Sequence, residues 1–236
     1  KNSIFVAQTD YNYVLKKIKA RVEGGAKMIL SDESISTYSE TRDTLSWIYN
    51  QDTLANFDYK YHEEIYSLYG IFGQEVGKFK YQIGLRGEYA EQIPELVGST
   101  QKYDNAYFNL FPSAHVKYVF NKISELSLSY SRRINRAESD ELNPFTSYAD
   151  PLNLRTGNPD LKPEYIDSYD FGYSFTKKKL IFSWSVFHRR TTDVINRIKY
   201  YYPNNTAVVT YANIDKSEST GLETVIIYKP FPWMKN

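Results

Sequence analysis

The 236-residue chain contains no cysteine. Disulfides, thiol nucleophiles and thiolate metal sites are therefore excluded. It also lacks any uninterrupted apolar run of about 18 residues, so no helix of a bilayer-spanning kind is encoded. Charge of one sign is not in excess: 29 Lys and Arg face 28 Asp and Glu, a formal net charge of +1. No field selects nucleic acid, and no such partner is expected. The mean hydropathy is low, −0.55. That argues against a helical membrane protein but not against a strand barrel, whose lumen is polar.

What is abundant is the aromatic ring. Aromatics make up 17% of the chain, with 23 tyrosines, the composition of strands that carry aromatic girdles at a membrane–water interface. The apolar residues recur with a period of two. In 79–90, Phe79, Tyr81, Ile83, Leu85 and Tyr89 share one face, against Lys80, Gln82, Arg86 and Glu88. In 107–120, Phe108, Leu110, Ala114, Val116, Tyr118 and Phe120 alternate with Asn109, Ser113, His115 and Lys117. Segments 123–131, 165–176 and 18–30 repeat the pattern, with Asp167 as an exception on the aromatic face of its segment. Weaker strands are read at 2–11, 57–75, 179–195 and about 207–228, giving about nine. Many are longer than the five or six residues usual in globular proteins.

The connections alternate. Short turns are expected at 13–17, 77–78, 121–122 and 177–179, and long loops at 32–56, 93–105, 134–164 and 196–206. Short turns on one side and long loops on the other are the asymmetry of an outer-membrane barrel, with the long loops outside. The expected fold class is all-β: an antiparallel up-and-down meander forming part of a transmembrane β-barrel. Both ends read as cut, since residue 1 enters strand-like sequence and Lys229–Trp233 reads as a turn into another strand. The chain is accordingly expected to be a portion of a longer one.

The longest stretch without strand periodicity, Tyr130 to Glu164, holds four of the nine prolines and a Gly157-Asn158-Pro159 step. Loops of this length are uncommon unless functional or disordered. Its arginines, Arg132, Arg133, Arg136 and Arg155, would suit an anionic ligand or lipopolysaccharide phosphate by their planar donors; the competing reading is a rim that braces the loop by pairing with its acids. Asp140, Glu141, Asp150, Asp160 and Glu164 lack calcium-loop spacing and read as solvated or turn-forming groups. His62, His115 and His188 fall on three different strands and read as polar lumen or loop positions rather than metal ligands. There is no Gly-x-Ser-x-Gly, and Asn204-Asn205-Thr206 reads as a turn.

Several pieces together resemble the outer membrane β-barrel family within the TonB-dependent receptors of Gram-negative bacteria. They are Tyr130-Ser131-Arg132-Arg133-Ile134, Leu142-Asn143-Pro144-Phe145, Asp150-Pro151-Leu152-Asn153, Gly157-Asn158-Pro159-Asp160-Leu161-Lys162-Pro163-Glu164 and Phe171-Gly172-Tyr173. Asp10-Tyr11, Gly84 to Tyr89, Phe111 to His115 and Gly221-Leu222-Glu223 look like the same family. The resemblance implies a barrel of about 22 strands closed by a plug, located in the outer membrane and energised through a TonB box for nutrient uptake: iron chelates, cobalamin or glycans. Residues 1–236 would be one fragment of that barrel domain, with the plug and the remaining strands outside it. Expected partners are outer-membrane lipid, the plug and the TonB complex, with a surface lipoprotein admitted as a further one. No cofactor and no enzymatic activity are expected. Substrate contact is assigned to lumen or outer-loop residues Arg86, Glu88, Arg132, Arg133, Arg136 and Arg155, and Asn143, Pro144, Phe145, Gly157, Asn158, Pro159, Leu161, Pro163 and Glu164 form the family-signature loop. The rival readings are a soluble β-rich binding or adhesion module and an outer-membrane barrel enzyme.

Overall fold

The computed structural model describes residues 1–42, 45, 47–52, 55–148, 150, 152–203 and 205–228. Pro151, Asn204 and the turn expected at Lys229–Trp233 lie outside these residues. Nine long strands dominate: β1 (Asn2–Leu15), β2 (Ala20–Thr37), β5 (Phe57–Val76), β6 (Phe79–Leu96), β7 (Asn105–Asn121), β8 (Ser124–Asn135), β10 (Glu164–Lys177), β11 (Leu180–Tyr201) and β12 (Ala207–Tyr228). Three short strands, β3 (Glu40–Arg42), β4 (Tyr49–Gln51) and β9 (Asn153–Arg155), and one helical turn, α1 (Ser139–Leu142), lie within the long loops.

The long strands pair in chain order, each antiparallel to the next. β3 and β4 form a separate hairpin, and β9 adds one parallel pairing to the tip of β12 through Ala207–Val209. The sheet is therefore an open wall with β1 at one border. Turn parity holds, with two small shifts. The first turn sits at Lys16–Lys19, closed by Lys19 in the left-handed region, rather than at 13–17. Strands β2, β6 and β11 also run about six residues further into the long-loop side than their alternation indicates.

Register explains the two faces. A row of directly paired residues, Tyr81, Val116, Leu128, Phe171, Val186 and Leu222, crosses six strands on one side. All but Tyr81 are exposed. In water such a continuous apolar surface would be an association site; facing hydrocarbon it satisfies the solvent. A neighbouring row on the opposite face reads Gly84, Ser113, Ser131, Ser168 and Arg189. Large residues thus point outward and small or polar ones inward, the inverse of a water-soluble domain. Asp167 is accommodated where it departs from the pattern. Its Oδ1 accepts the Tyr130 hydroxyl at 2.7 Å, and Arg132 is its cross-strand neighbour.

The buried apolar cluster does not lie between two layers. It comprises Tyr59, Tyr61, Ala137, Leu142 and Leu161, backed by Ile35, Phe57, Ile195 and Tyr211. Loop 136–163 supplies three of these residues and strands at both sides of the wall supply the rest. The long loop therefore folds over the inner face instead of standing out into solvent.

Candidate functional site

The site is the inner face at the long-loop end, where the proline-rich loop is clasped to the wall. Its first element is α1. Glu138 caps it and Glu141 reaches back, Glu138 N–H donating to Glu141 Oε2 at 3.0 Å, which satisfies otherwise orphaned amides. Burial pushes the Glu141 carboxyl up from its ordinary value. The helical turn presents Leu142 to the cluster, and the Tyr59 hydroxyl donates to the Ser139 carbonyl at 2.8 Å.

The second element is a backbone clasp. Gly157 N–H donates to the Asn143 carbonyl (2.9 Å) and Asn158 N–H to the Glu141 carbonyl (2.6 Å). A Cβ on Gly157 would lie 2.5 Å from the Glu141 oxygen and 2.6 Å from the Asn143 oxygen, so only glycine fits. Beyond it, Asn158 Oδ1 accepts from Asp160 N–H and its amide donates to the Tyr211 carbonyl at 3.0 Å. Pro159, Leu161 and Pro163 are buried. The Pro159 carbonyl accepts from Asn105 Nδ2 at 2.8 Å, and Glu164 accepts Ile195 N–H at 2.6 Å and Asn135 Nδ2 at 2.9 Å. Phe145 stacks on Phe57 with ring centroids 3.9 Å apart, and the Pro144 carbonyl accepts from Thr156 Oγ1. The residues of the family-signature loop are thus brought into one clasped plate tied to β5, β7, β11 and β12.

The third element is a buried polar relay. Arg136 Nη2 lies 2.7 Å from Glu88 Oε2, with side chains only 16% and 8% exposed. Arg136 Nε donates to the Tyr107 hydroxyl (3.0 Å), Tyr107 to Gln92 Oε1 (3.2 Å), Gln92 Nε2 to the Tyr61 hydroxyl (2.7 Å), and Tyr61 to Glu63 Oε1 (3.2 Å). Arg86 Nε lies 3.0 Å from Glu88 Oε1, but its N–H finds no acceptor in hydrogen-bonding geometry, so that contact is coulombic only. Gln92, Tyr61 and Tyr107 carry no sequence signal beyond a place on the polar lumen side of a strand. Only their convergence in space marks them.

The six arginine and glutamate candidates separate. Arg86, Glu88 and Arg136 form one ion-pair triad. Arg132 lies over the Tyr165 ring at 5.0 Å, and Arg133 is exposed without an ion-pair partner among the described residues. Arg155 stands apart on β9 and lines a cavity of about 480 Å³ that Arg197 of β11 also lines. Of the histidines, His62 bridges Asp32 and Glu64, and His188 Nδ1 is 2.8 Å from Thr220 Oγ1.

An outward apolar face, a polar inner face and an inward-folded loop on an antiparallel wall define a strand-built membrane protein. The chain belongs to the outer membrane protein beta-barrel family, whose profile matches residues 1–236. Its place is the cell outer membrane, which removes the soluble-module reading. The sheet superposes on the solved copper transporter OprC with a TM-score of 0.73 at 13% identity, over 98% of this chain and 36% of that one. It matches the siderophore receptor PirA from Acinetobacter baumannii at 0.64 and 16%, over 95% of this chain and 34% of that one. It matches the ferric-catecholate import receptor Fiu from K12 E. coli at 0.63 and 12%, over 98% of this chain and 36% of that one. The chain spans about a third of the length of these structures. No curated protein matches it in sequence.

Proposed function

We propose that residues 1–236 are part of the barrel of a TonB-dependent outer-membrane receptor that imports a scarce nutrient, and that they perform no bond chemistry. The observation that carries this reading is the inward clasp of loop 136–163 across a lipid-exposed antiparallel wall. A loop held over the lumen narrows the mouth on the cell's outer side, as a selective entry requires. The similar structures, named for copper, siderophore and ferric-catecholate transport, support the class without naming the cargo. The remaining strands, a plug and contact with the TonB complex belong, on this reading, to the rest of the natural protein. Within the site, Arg86, Glu88 and Arg136 brace the loop, and Arg155 is the candidate for cargo contact.

The test is uptake. In the native host, accumulation of labelled iron chelates, copper, cobalamin and oligosaccharides is compared with and without the full-length natural protein, and again with TonB disrupted. One cargo is expected to depend on both. Uptake that is unchanged across the panel, or that survives loss of TonB, overturns the reading.

A further inference from the structure

Two arginines that take no part in bracing the loop meet at one cavity. Arg155 reaches it from β9 and Arg197 from β11. Arg197 pairs in register with Tyr211, whose ring packs against the buried cluster, so the Arg197 side chain belongs to the inner face. Lys199, two residues on, shares that face and donates to Asn153 Oδ1 of β9 at 3.4 Å. Neither arginine has an ion-pair partner among the described residues. The acids within reach are Asp140, which lines the cavity, and Asp150, whose carboxyl is held below its ordinary value chiefly by Asn153 and Leu152, with a smaller part from Arg155.

Aromatic rings line the same cavity. Phe57 and Phe145 are stacked with an interplanar angle of 22°, and Val209 continues the apolar surface. Asn143 uses its side-chain oxygen on Phe145 N–H, which leaves its amide donors for another acceptor. The cavity thus combines planar cationic forks, an amide donor and a flat apolar wall. Guanidinium groups match carboxylate geometry in a way that a point charge does not. Among the lining side chains Arg155 and Arg197 only donate, Asp140 accepts, and the hydroxyls of Thr37, Ser147 and Tyr211 can do either, so the two guanidiniums set the preference for an acceptor-bearing ligand.

We propose that this cavity binds a small organic carboxylate with a planar apolar body, the carboxylate between Arg155 and Arg197 and the body against the Phe57–Phe145 pair. The inference rests on the uptake reading only for its biological meaning, since it names the class of cargo; the binding itself stands separately.

The experiment uses the full-length natural protein in detergent and 4-(trifluoromethyl)benzoate as probe, followed by fluorine NMR line broadening. The neutral amide of the probe and inorganic phosphate serve as comparators. The carboxylate is expected to bind, the amide to bind at least about tenfold more weakly, and the R155Q/R197Q protein to lose about tenfold or more in affinity for the carboxylate. Retained heat-modifiable migration of the variant on gels shows that the barrel is intact. F145L keeps both arginines and is expected to weaken the probe severalfold while leaving phosphate unaffected. Three results overturn the proposal: no binding to the natural protein, meaning another segment fills the cavity; equal binding of the amide; or phosphate displacing the probe with F145L unchanged, meaning a simple anion hole. TonB-dependent uptake without probe binding defeats this inference alone. Probe binding without such uptake defeats the transport reading and leaves the site.

Discussion

Replacing Arg136 by methionine isolates the ion pair that ties the loop to the wall. The apolar stem is kept, so packing against the Tyr107 ring, 5.8 Å from the guanidinium, is largely preserved. What is lost is the partner of Glu88, a carboxylate with only 8% side-chain exposure. Breaking a buried pair from one side costs about 3–5 kcal/mol, because a charge is left uncompensated. Arg86 remains 3.0 Å away but is 43% exposed and poorly aimed, so the lower end, about 3 kcal/mol, is expected. That figure is a loss of loop docking, not of barrel folding, and calls for a local readout. Hydrogen exchange on the full-length natural protein supplies it, because Leu142, Gly157 and Asn158 amides are bonded only within the docked loop. Their exchange is expected to accelerate roughly a hundredfold, while ladder amides of β6 and β7 stay protected. Removing both charges in E88Q/R136M should restore protection to within about tenfold, since no orphaned carboxylate remains. Unchanged exchange in R136M, or a double variant as open as the single one, would refute the claim that this pair holds the loop.

Gly157→Ala should open the same clasp, because its Cβ meets backbone oxygens at 2.5 and 2.6 Å, whereas Gly70→Ala, with no atom within 4 Å, should leave loop proteolysis unchanged. Leu85→Arg places a charge toward lipid and should cost about 2–4 kcal/mol, seen as reduced heat-stable barrel in outer membranes; Gln82→Arg on the inner face should assemble normally. Burial raises the Glu141 carboxyl, so its contribution to loop docking is full below the ordinary glutamate value of 4.5 and is lost as pH rises through the raised value. Loop protection corrected for intrinsic exchange should fall over that interval in the natural protein and stay flat in Glu141→Gln.

The wall was legible because a period of two is local. Phe79 to Tyr89 or Phe108 to Phe120 needs no distant information to assign its two faces. Legibility ended where lipid ended. Beyond Leu30, the run Ser31 to Thr37 holds a single apolar residue, Ile35, too few to show a period of two, so β2 reads as a loop although it stays paired with β5 to Phe57. Pro144, Pro159 and Pro163 restrict the loop's backbone, but no local pattern shows that it folds inward. That depends on Leu142 and Leu161 meeting Tyr59 and Tyr61, about eighty and a hundred positions away in the chain. The same holds for the relay: Glu88 and Arg136 are 48 residues apart, and an alternating strand gives no reason to prefer that pair over Glu88 with Arg133.

Position in the fold also divides the arginines that composition treats alike. A guanidinium committed to a buried carboxylate, a tyrosine and a strand cannot release its partners for cargo without exposing Glu88 unpaired, so Arg136 is costly to use in binding. A guanidinium at a cavity wall has no such obligation. Arg155 and Arg197 can exchange water for a ligand carboxylate while the clasp stays shut, because the clasp is held by the Glu141–Asn143 and Gly157–Asn158 backbone and by the Glu88 pair. On the proposed assignment, bracing and contact thus fall to different residues. In the proposed division the family-signature positions brace, and Arg155, at the proposed ligand cavity, lies on the short parallel strand that pairs with β12.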